Sequence, residues 1–279
     1  MELGMYSIEL QRPNVEALFA AIREYGFTGV QFDFLSVCDE EMPAEIDSAL
    51  TERIHKAAAE NGVQIVSVNG TFNMIDPDPE KRADGLHRFE ELAKHMHELD
   101  CNFVTLCTGS RNPNHMWRPH PDNETEEAWD DLIDTMRAAL EIAEQYDLVL
   151  GLETEPSNVM NTAERCRRLM DTFDNTPRLK VIMDIANLFR PGTAHVENMR
   201  PTMRHAFDLL GKDVGLAHGK DVLDGNLTQF TYAGNGIVDF AYFKELLEEI
   251  GYNGCLVLHG IKDEAYFPKA IRNVRRVFG

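Results

Sequence analysis

Two patterns of apolar residues alternate along the whole chain. Short, continuous apolar runs are each followed by a longer segment in which apolar residues recur every three or four positions. The first pattern is typical of parallel strands buried on both faces, and the second is typical of amphipathic helices. We predict strands over residues 3–7, 29–34, 63–68, 103–107, 149–153, 179–184, 214–218 and 255–259. We predict helices over residues 14–25, 45–61, 78–99, 123–146, 162–173, 196–210, 240–250 and 264–277.

The eight strand–helix pairs predict a closed (β/α)8 TIM barrel that occupies residues 1–279 as a single domain. Neither a change in composition nor a Pro- or Ser-rich linker divides the chain. An open, doubly wound sheet is the alternative. That fold normally carries a glycine-rich phosphate-binding turn after its first strand, and no such turn follows residues 3–7.

Four of the predicted strands end in a residue type that commonly binds metal ions. The successive strand ends in the second half of the chain are Glu153, Asp184, His218 and His259. Active sites of TIM barrels lie at the C-terminal rim of the strands, where these side chains would meet. Carboxylate oxygens and imidazole nitrogens together form a mixed site suited to one divalent metal. The alternative is a metal-free site in which the same groups act as acid and base.

Further polar residues follow the strand ends and are candidates for catalysis or substrate binding. Glu155 lies two residues beyond Glu153 and points the same way in extended backbone, so either carboxylate is a candidate inner ligand. We favour Glu153 because it is nearer to the strand. Asn69 at the end of the third strand and Lys220 near the end of the seventh are predicted to bind substrate. Asn187 either hydrogen-bonds to substrate or caps a turn.

A long loop after the fourth strand, residues 109–120, concentrates Arg, His and Trp in an otherwise acidic protein. Long rim loops of barrels often bind substrate. We predict that Arg111 or Arg118 meets a carboxylate or phosphate and that Trp117 forms a pocket wall; a surface loop with incidental charges is the alternative. Asp221 either orients His218, takes part in binding or forms a surface ion pair. Residues 231–236 are predicted to form a second, flexible rim loop.

Net charge and composition limit the binding partners and the cellular compartment that we expect for this protein. The formal net charge of −20 disfavours binding to nucleic acid and to anionic membranes, because both need clustered Lys and Arg. No apolar run is long enough to span a membrane, and the N-terminus has no signal-peptide pattern. The five cysteines are scattered and form no zinc-binding motif, which fits reduced thiols in a cytoplasmic protein.

Five short motifs, in this order and at this spacing, resemble those of the xylose-isomerase-like TIM-barrel superfamily, in its sugar isomerase and epimerase branch. The resemblance spans nearly the whole chain. The motifs are Leu-Glu-Thr-Glu-Pro at 152–156, Met-Asp-Ile-Ala-Asn-Leu at 183–188, Ala-His-Gly-Lys-Asp at 217–221, Ala-Gly-Asn-Gly-Ile-Val-Asp at 233–239 and Gly-Tyr-Asn-Gly at 251–254.

The resemblance implies one divalent metal, held by residues on strands five to eight, that grips neighbouring oxygens of a sugar. In the family two carboxylates then move a proton through a cis-enediolate. Glu153, Asp184 and His218 match three of the usual ligands. The chain departs from the family at His259, where Glu is usual, and at Asn187, where His is common. His259 is therefore a candidate ligand, base or both, and the ligand set favours Mn²⁺, Co²⁺, Zn²⁺ or Fe²⁺ over Mg²⁺.

The predicted function is a metal-dependent isomerase or epimerase of a small carbohydrate or sugar acid. Glu153 or Glu155 would supply one face of the acid/base chemistry and His259 the other. A metal-dependent lyase that dehydrates a keto-polyol is the alternative, because the same enolate precedes loss of hydroxide. A phosphodiesterase on the same barrel would need more metal ligands and a basic groove, neither of which is apparent, and a non-catalytic sugar-binding protein would need no metal. By analogy with similar proteins, the chain is a candidate homo-oligomer.

Overall fold

Eight parallel strands hydrogen-bond in a closed ring, which confirms the predicted TIM barrel. The computed structural model describes residues 1–279. Its strands are β1 (Leu3–Tyr6), β2 (Gly29–Phe32), β3 (Gln64–Asn69), β4 (Phe103–Leu106), β5 (Val149–Glu153), β6 (Leu179–Asp184), β7 (Val214–Val222), β8 (Phe230–Tyr232) and β9 (Leu256–Leu258). Strands β1 to β7 follow one another around the ring, and β9 closes it between β7 and β1. The short strand β8 is the exception, since it pairs antiparallel with the end of β7.

A helix follows each strand of the ring. The helices are α1 (Val15–Glu24), α2 (Ser48–Asn61), α3 (Pro79–His95), α4 (Glu126–Gln145), α5 (Ala163–Thr172), α6 (Val196–Leu210), α7 (Phe240–Glu249) and α8 (Phe267–Phe278). Short polar side chains cap most of their N-termini: Asp47 accepts a hydrogen bond from the backbone N–H of Ala49, and Thr125 accepts one from that of Ala128. These caps place the starts of α2 and α4 three residues later than the apolar periodicity predicts. None of the helices combines the length and the apolar character needed to cross a membrane.

The apolar residues form two layers. A cluster of 74 buried residues fills the space between the strands and the surrounding helices. A separate cluster of four, Ile182, Leu216, Cys255 and Val257, lies on the opposite faces of β6, β7 and β9, inside the barrel. The ring of Phe103 packs there because Gly151 and Gly215 leave room for it, since a Cβ at Gly151 would lie 2.2 Å from that ring. Because these apolar side chains fill the interior of the barrel, the polar groups lie at its C-terminal end.

The end of β7 differs from the prediction. The strand continues past His218 to Val222 and forms a hairpin with β8, which occupies the start of the segment predicted to be a flexible loop. Asp221 holds the following turn because its fully buried carboxylate accepts hydrogen bonds from four backbone amides, those of Val222, Gly234, Gly236 and Val238. The carboxylate is therefore neither in a surface ion pair nor in contact with His218.

Candidate metal and active site

Three of the four predicted ligands lie together at the C-terminal end of the barrel. Glu153 is the last residue of β5, Asp184 the last of β6, and His218 lies beside Asp184 in the register of β7. One potential ligand atom from each lies within 4.8 Å of the others. The strands bring them together because parallel neighbours end at the same edge of the barrel.

His218 is the centre of this cluster. Its Nδ1 lies 3.1 Å from Oε1 of Glu153 and 3.6 Å from Oδ2 of Asp184, and its Nε2 lies 2.8 Å from Oε1 of Gln31. Burial of the imidazole would lower its pKa, but the two carboxylates outweigh burial and raise the pKa of His218 to about 9. Without a bound cation, the imidazolium balances the carboxylates.

Asp184 carries a buried oxygen that lacks a hydrogen-bond donor. Its Oδ1 accepts from the backbone N–H of Ala186 at 3.0 Å. Lys220 Nζ forms an ion pair with Oδ2 at 3.0 Å but lies outside hydrogen-bonding geometry, so Oδ2 accepts no hydrogen bond. Burial would raise the pKa of Asp184, but Lys220 and His218 hold it below the ordinary value. The ammonium of Lys220 offsets part of the cost of burying this ionised carboxylate, and a metal ion at Oδ2 would offset more of it.

These residues fit a divalent metal. Two carboxylates and one imidazole form a mixed oxygen and nitrogen donor set, which suits Mn²⁺, Co²⁺, Fe²⁺ and Zn²⁺. Oδ2 of Asp184 accepts no hydrogen bond, so it can coordinate such an ion beside the ammonium of Lys220. Three protein ligands also leave coordination positions for substrate, as catalytic metal sites require.

A cavity of about 550 Å³ opens above the cluster, with Glu153 and His218 in its lining. Glu155 also lines it, and burial raises the pKa of Glu155 to about 7 although the ammonium of Lys220 opposes this. Lys220 lies over the ring of Phe230 at 4.3 Å, and burial of its ammonium is outweighed by Asp184, Glu153 and Glu155, which raise its pKa. The cavity therefore offers a carboxyl group that changes protonation near neutral pH.

His259 lines the cavity but does not join the cluster of ligand atoms. Its Nδ1 lies 2.9 Å from Oε1 of Glu9, and its ring packs edge-on against His218 with 5.6 Å between the ring centroids. In this arrangement three side chains, and not the predicted four, surround the candidate metal position.

The residues predicted to bind substrate divide into two groups. Asn69, Trp117 and Lys220 line the cavity. Arg111 and Asn187 do not, which corrects the expectation that they face it. The guanidinium of Arg111 is buried against the carboxylate of Asp131 on α4 and the carbonyl of Ile75, so it anchors the rim loop.

The fully buried side chain of Asn187 supports a predicted ligand. Its Nδ2 donates to Oε1 of Glu153 at 3.0 Å, and its own backbone N–H lies 3.4 Å from Oδ1 of Asp184. Asn187 therefore fixes the orientation of Glu153 from below the cavity. The short helical turn after β6 places it there.

Several cavity residues were not singled out from the sequence. Tyr6 donates to Oδ2 of Asp33 at 2.5 Å, and Glu41, whose pKa is raised by burial and by Asp33, has no hydrogen-bond partner within the chain. Tyr6 stands at a strand end, so the rule that identified Glu153 applies to it as well. Glu41 lies in the irregular segment between β2 and α2, where no periodic pattern marks it.

The family comparison agrees with this geometry. A family model described as a xylose isomerase-like TIM barrel matches residues 19–277. The chain belongs to this family. The match covers the strands β2 to β9, and so it includes each residue of the candidate metal cluster.

Individual relatives of this xylose isomerase-like barrel include enzymes of more than one reaction class. An inosose dehydratase of Geobacillus kaustophilus (strain HTA426) is 25% identical over 215 residues, which are 70% of this chain and 67% of the relative. The structure of the 3-keto-D-glucoside 4-epimerase YcjR from E. coli aligns with a TM-score of 0.77 and 19% identity over 99% of both chains. The IOLI protein with a bound zinc atom aligns with a TM-score of 0.71 and 16% identity, over all of this chain and 96% of that one.

Proposed function

We propose that the protein is a metal-dependent isomerase or epimerase that moves a proton on the carbon next to a carbonyl of a small sugar. The observation that carries the proposal is the cluster of Glu153, Asp184 and His218 at the base of a cavity that also contains Glu155 and His259. A bound divalent ion would polarise the carbonyl and stabilise the negative charge of an enediolate. The protein side chains would supply the proton transfers.

The proton-transfer groups come from two sides of the cavity. Glu153 ends β5 and Glu155 follows it, whereas His259 follows β9, and two strands of the ring separate β5 from β9. The pKa of Glu155 near 7 suits a group that both takes and returns a proton at neutral pH. An epimerase needs one such group on each face of the reacting carbon, so a pair from opposite sides supports this reaction.

The charge of the cavity favours a neutral sugar over a phosphorylated or acidic one. Its lining contains the carboxylates of Glu41, Glu153 and Glu155. The ammonium of Lys220 already lies beside Asp184, and no arginine contributes to the lining. Trp117 and Phe230 add aromatic surface to the lining, against which the apolar side of a sugar ring can pack. Hydroxyl groups can donate to the carboxylates, whereas the lining contains no guanidinium to pair with a phosphate.

A dehydratase of a keto-polyol is the second candidate, and the similarity to an inosose dehydratase favours it. Its first step is the same proton abstraction. The two reactions diverge when the intermediate either receives a proton again or loses a hydroxide that an acid such as His259 protonates. The product of an isomerase or epimerase has the same mass as the substrate, whereas the product of a dehydratase has lost one molecule of water. The mass of the product therefore separates the two reactions.

The test uses the protein loaded with Mn²⁺ and incubated in D₂O with D-tagatose, inosose and a 3-keto-D-glucoside. We expect deuterium at the carbon next to the carbonyl of at least one probe, without loss of water. The variants Glu153→Gln and Glu155→Gln should lower the exchange rate at least tenfold, whereas Asp134→Asn, which removes an exposed carboxylate on α4, should not. Loss of water from the probe would assign the dehydratase reaction. If both glutamine variants exchanged deuterium at the wild-type rate, Glu153 and Glu155 would not be the groups that transfer the proton.

A further inference from the structure

Glu9 and His259 form a pair at the rim, although they are 250 residues apart in sequence. Glu9 lies in the helical turn directly after β1, and His259 directly follows β9. The two strands are neighbours in the ring, with Met5 beside Leu258 in the register. The barrel therefore brings the two side chains together by the same rule that unites the metal cluster.

Two donors hold the carboxylate of Glu9. Its Oε1 accepts from Nδ1 of His259 at 2.9 Å and from the backbone N–H of Gly260 at 2.6 Å. Gly260 has a φ of +81°, and a Cβ at this position would lie 2.9 Å from Cγ of Lys220, so the turn requires glycine. The side chain of Glu9 is only 10% exposed, and its Oε2 is buried without a partner. Within the chain, the carboxylate of Glu9 therefore accepts hydrogen bonds only from His259 and Gly260.

This contact determines which nitrogen of His259 carries the proton. A carboxylate oxygen only accepts, so Nδ1 donates to Glu9. Nε2 makes no hydrogen bond within the chain, and the ring lines the cavity, held between Tyr6 and His218 with centroid distances of 5.1 Å and 5.6 Å. A neutral His259 in this arrangement presents the lone pair of Nε2 to the cavity.

We infer that Glu9 is a positioning residue that holds His259 as a proton acceptor and donor facing the substrate. The inference rests on the proposed function. Nε2 takes the proton from the substrate carbon as the carbon–hydrogen bond breaks, and the electron pair of that bond passes into the enediolate. Glu9 balances the positive charge of the resulting imidazolium. In an isomerisation Nε2 then gives the proton to the neighbouring carbon of the enediolate. In an epimerisation Glu155 protonates the first carbon from the other face, and proton exchange with water afterwards restores His259 and Glu155.

The competing role for the same pair is ligation, because metal-binding histidines often donate their second N–H to a carboxylate. The ligand atoms that lie within 4.8 Å of one another belong to Glu153, Asp184 and His218 and exclude His259. The geometry therefore favours proton transfer over ligation for the Glu9–His259 pair. If His259 were a ligand, His259→Gln would lose affinity for Mn²⁺, whereas a proton-transfer role leaves that affinity intact. A binding measurement therefore separates the two roles without an activity assay.

The test combines long-range ¹H–¹⁵N spectra of histidine-labelled protein with Mn²⁺ affinity and deuterium exchange. His259→Gln assigns the His259 signals. We expect the wild type to show the Nδ1–H form, and Glu9→Leu, which removes the acceptor, to shift the signals away from it. Glu2→Gln, an exposed change at the start of β1, should leave them unchanged. We also expect Glu9→Gln and His259→Gln to bind Mn²⁺ within about twofold of wild type.

For any sugar probe on which the wild type is active, Glu9→Gln should lower kcat about 10- to 100-fold, with KM changed less than about threefold. An unchanged tautomer in Glu9→Leu would overturn the inference. The inference would also be overturned if His259→Gln lost as much affinity for Mn²⁺ as Glu153→Gln does. If the wild type exchanges deuterium with no probe, the proposed function fails, whereas the spectra and the affinities still decide the role of Glu9.

Discussion

Gln31 determines which nitrogen of His218 is available to a metal. Its Oε1 lies 2.8 Å from Nε2 of His218, and since an amide oxygen only accepts, Nε2 is the protonated nitrogen. The amide nitrogen of Gln31 lies 3.5 Å from the hydroxyl of Thr105, which favours this orientation of the amide. Nδ1 of His218 is thereby directed at Glu153 and Asp184.

Replacement of Gln31 by Leu should lower the affinity for Mn²⁺ about 10- to 100-fold, because His218 loses the acceptor that fixes its tautomer and ring orientation. Isothermal titration calorimetry on the metal-free protein measures the effect. Gln64→Leu is the matched control, since Gln64 is exposed at the start of β3. Equal affinities of Gln31→Leu and wild type would show that Gln31 does not position the ligand.

Binding of the metal should release a proton from His218. Because the carboxylates raise the pKa of His218 to about 9, its Nδ1 is protonated at pH 7 and must lose that proton to bind a cation. The affinity should therefore rise roughly tenfold for each pH unit between 7 and 8. Calorimetric titrations at pH 7 in buffers of different ionisation enthalpy count the protons; a count near zero would contradict the assignment.

The same shift has a consequence for the stability of the metal-free protein. The pKa of His218 is higher in the folded protein than its ordinary value of 6.5. Its contribution to stability is therefore fully present below pH 6.5 and is lost as the pH rises through about 9. Urea denaturation in the presence of a chelator should show this loss for wild type, and a smaller one for His218→Gln. An equal pH dependence of the two proteins would contradict it.

The apolar runs were sufficient to predict the ring of strands and the meeting of three candidate ligands at its edge. Glu153, Asp184 and His218 each follow such a run, and parallel strands necessarily end at one edge. Arg111 and Asn187 were misplaced because loop conformation decides where they point, and their partners Asp131 and Glu153 are distant in sequence. The pairing of Glu9 with His259 was not predicted, because Glu9 lies in a short helical turn after β1 that no apolar run marks.

Asp184→Asn should destabilise the metal-free protein by about 3–5 kcal/mol, because it leaves the buried ammonium of Lys220 without its nearest carboxylate. Urea denaturation at pH 7 with a chelator present measures this free energy. Asp134→Asn is the control, since the pair of Asp134 with Arg137 is exposed, and it should change stability by less than about 0.5 kcal/mol. If the two substitutions changed the free energy of unfolding equally, groups other than Asp184 would balance the charge of Lys220.

Asp221→Ala should destabilise the protein by roughly 3 kcal/mol or more. The substitution removes the acceptor of four backbone amides, and each buried N–H left unpaired costs about 1–3 kcal/mol, with relaxation of the turn recovering part of the total. Asp224→Ala, at an exposed carboxylate two residues beyond β7, is the matched control. Urea denaturation measures both, and hydrogen exchange should show lost protection at Gly234 and Gly236. If those amides stay protected in Asp221→Ala, the turn is held by its backbone alone.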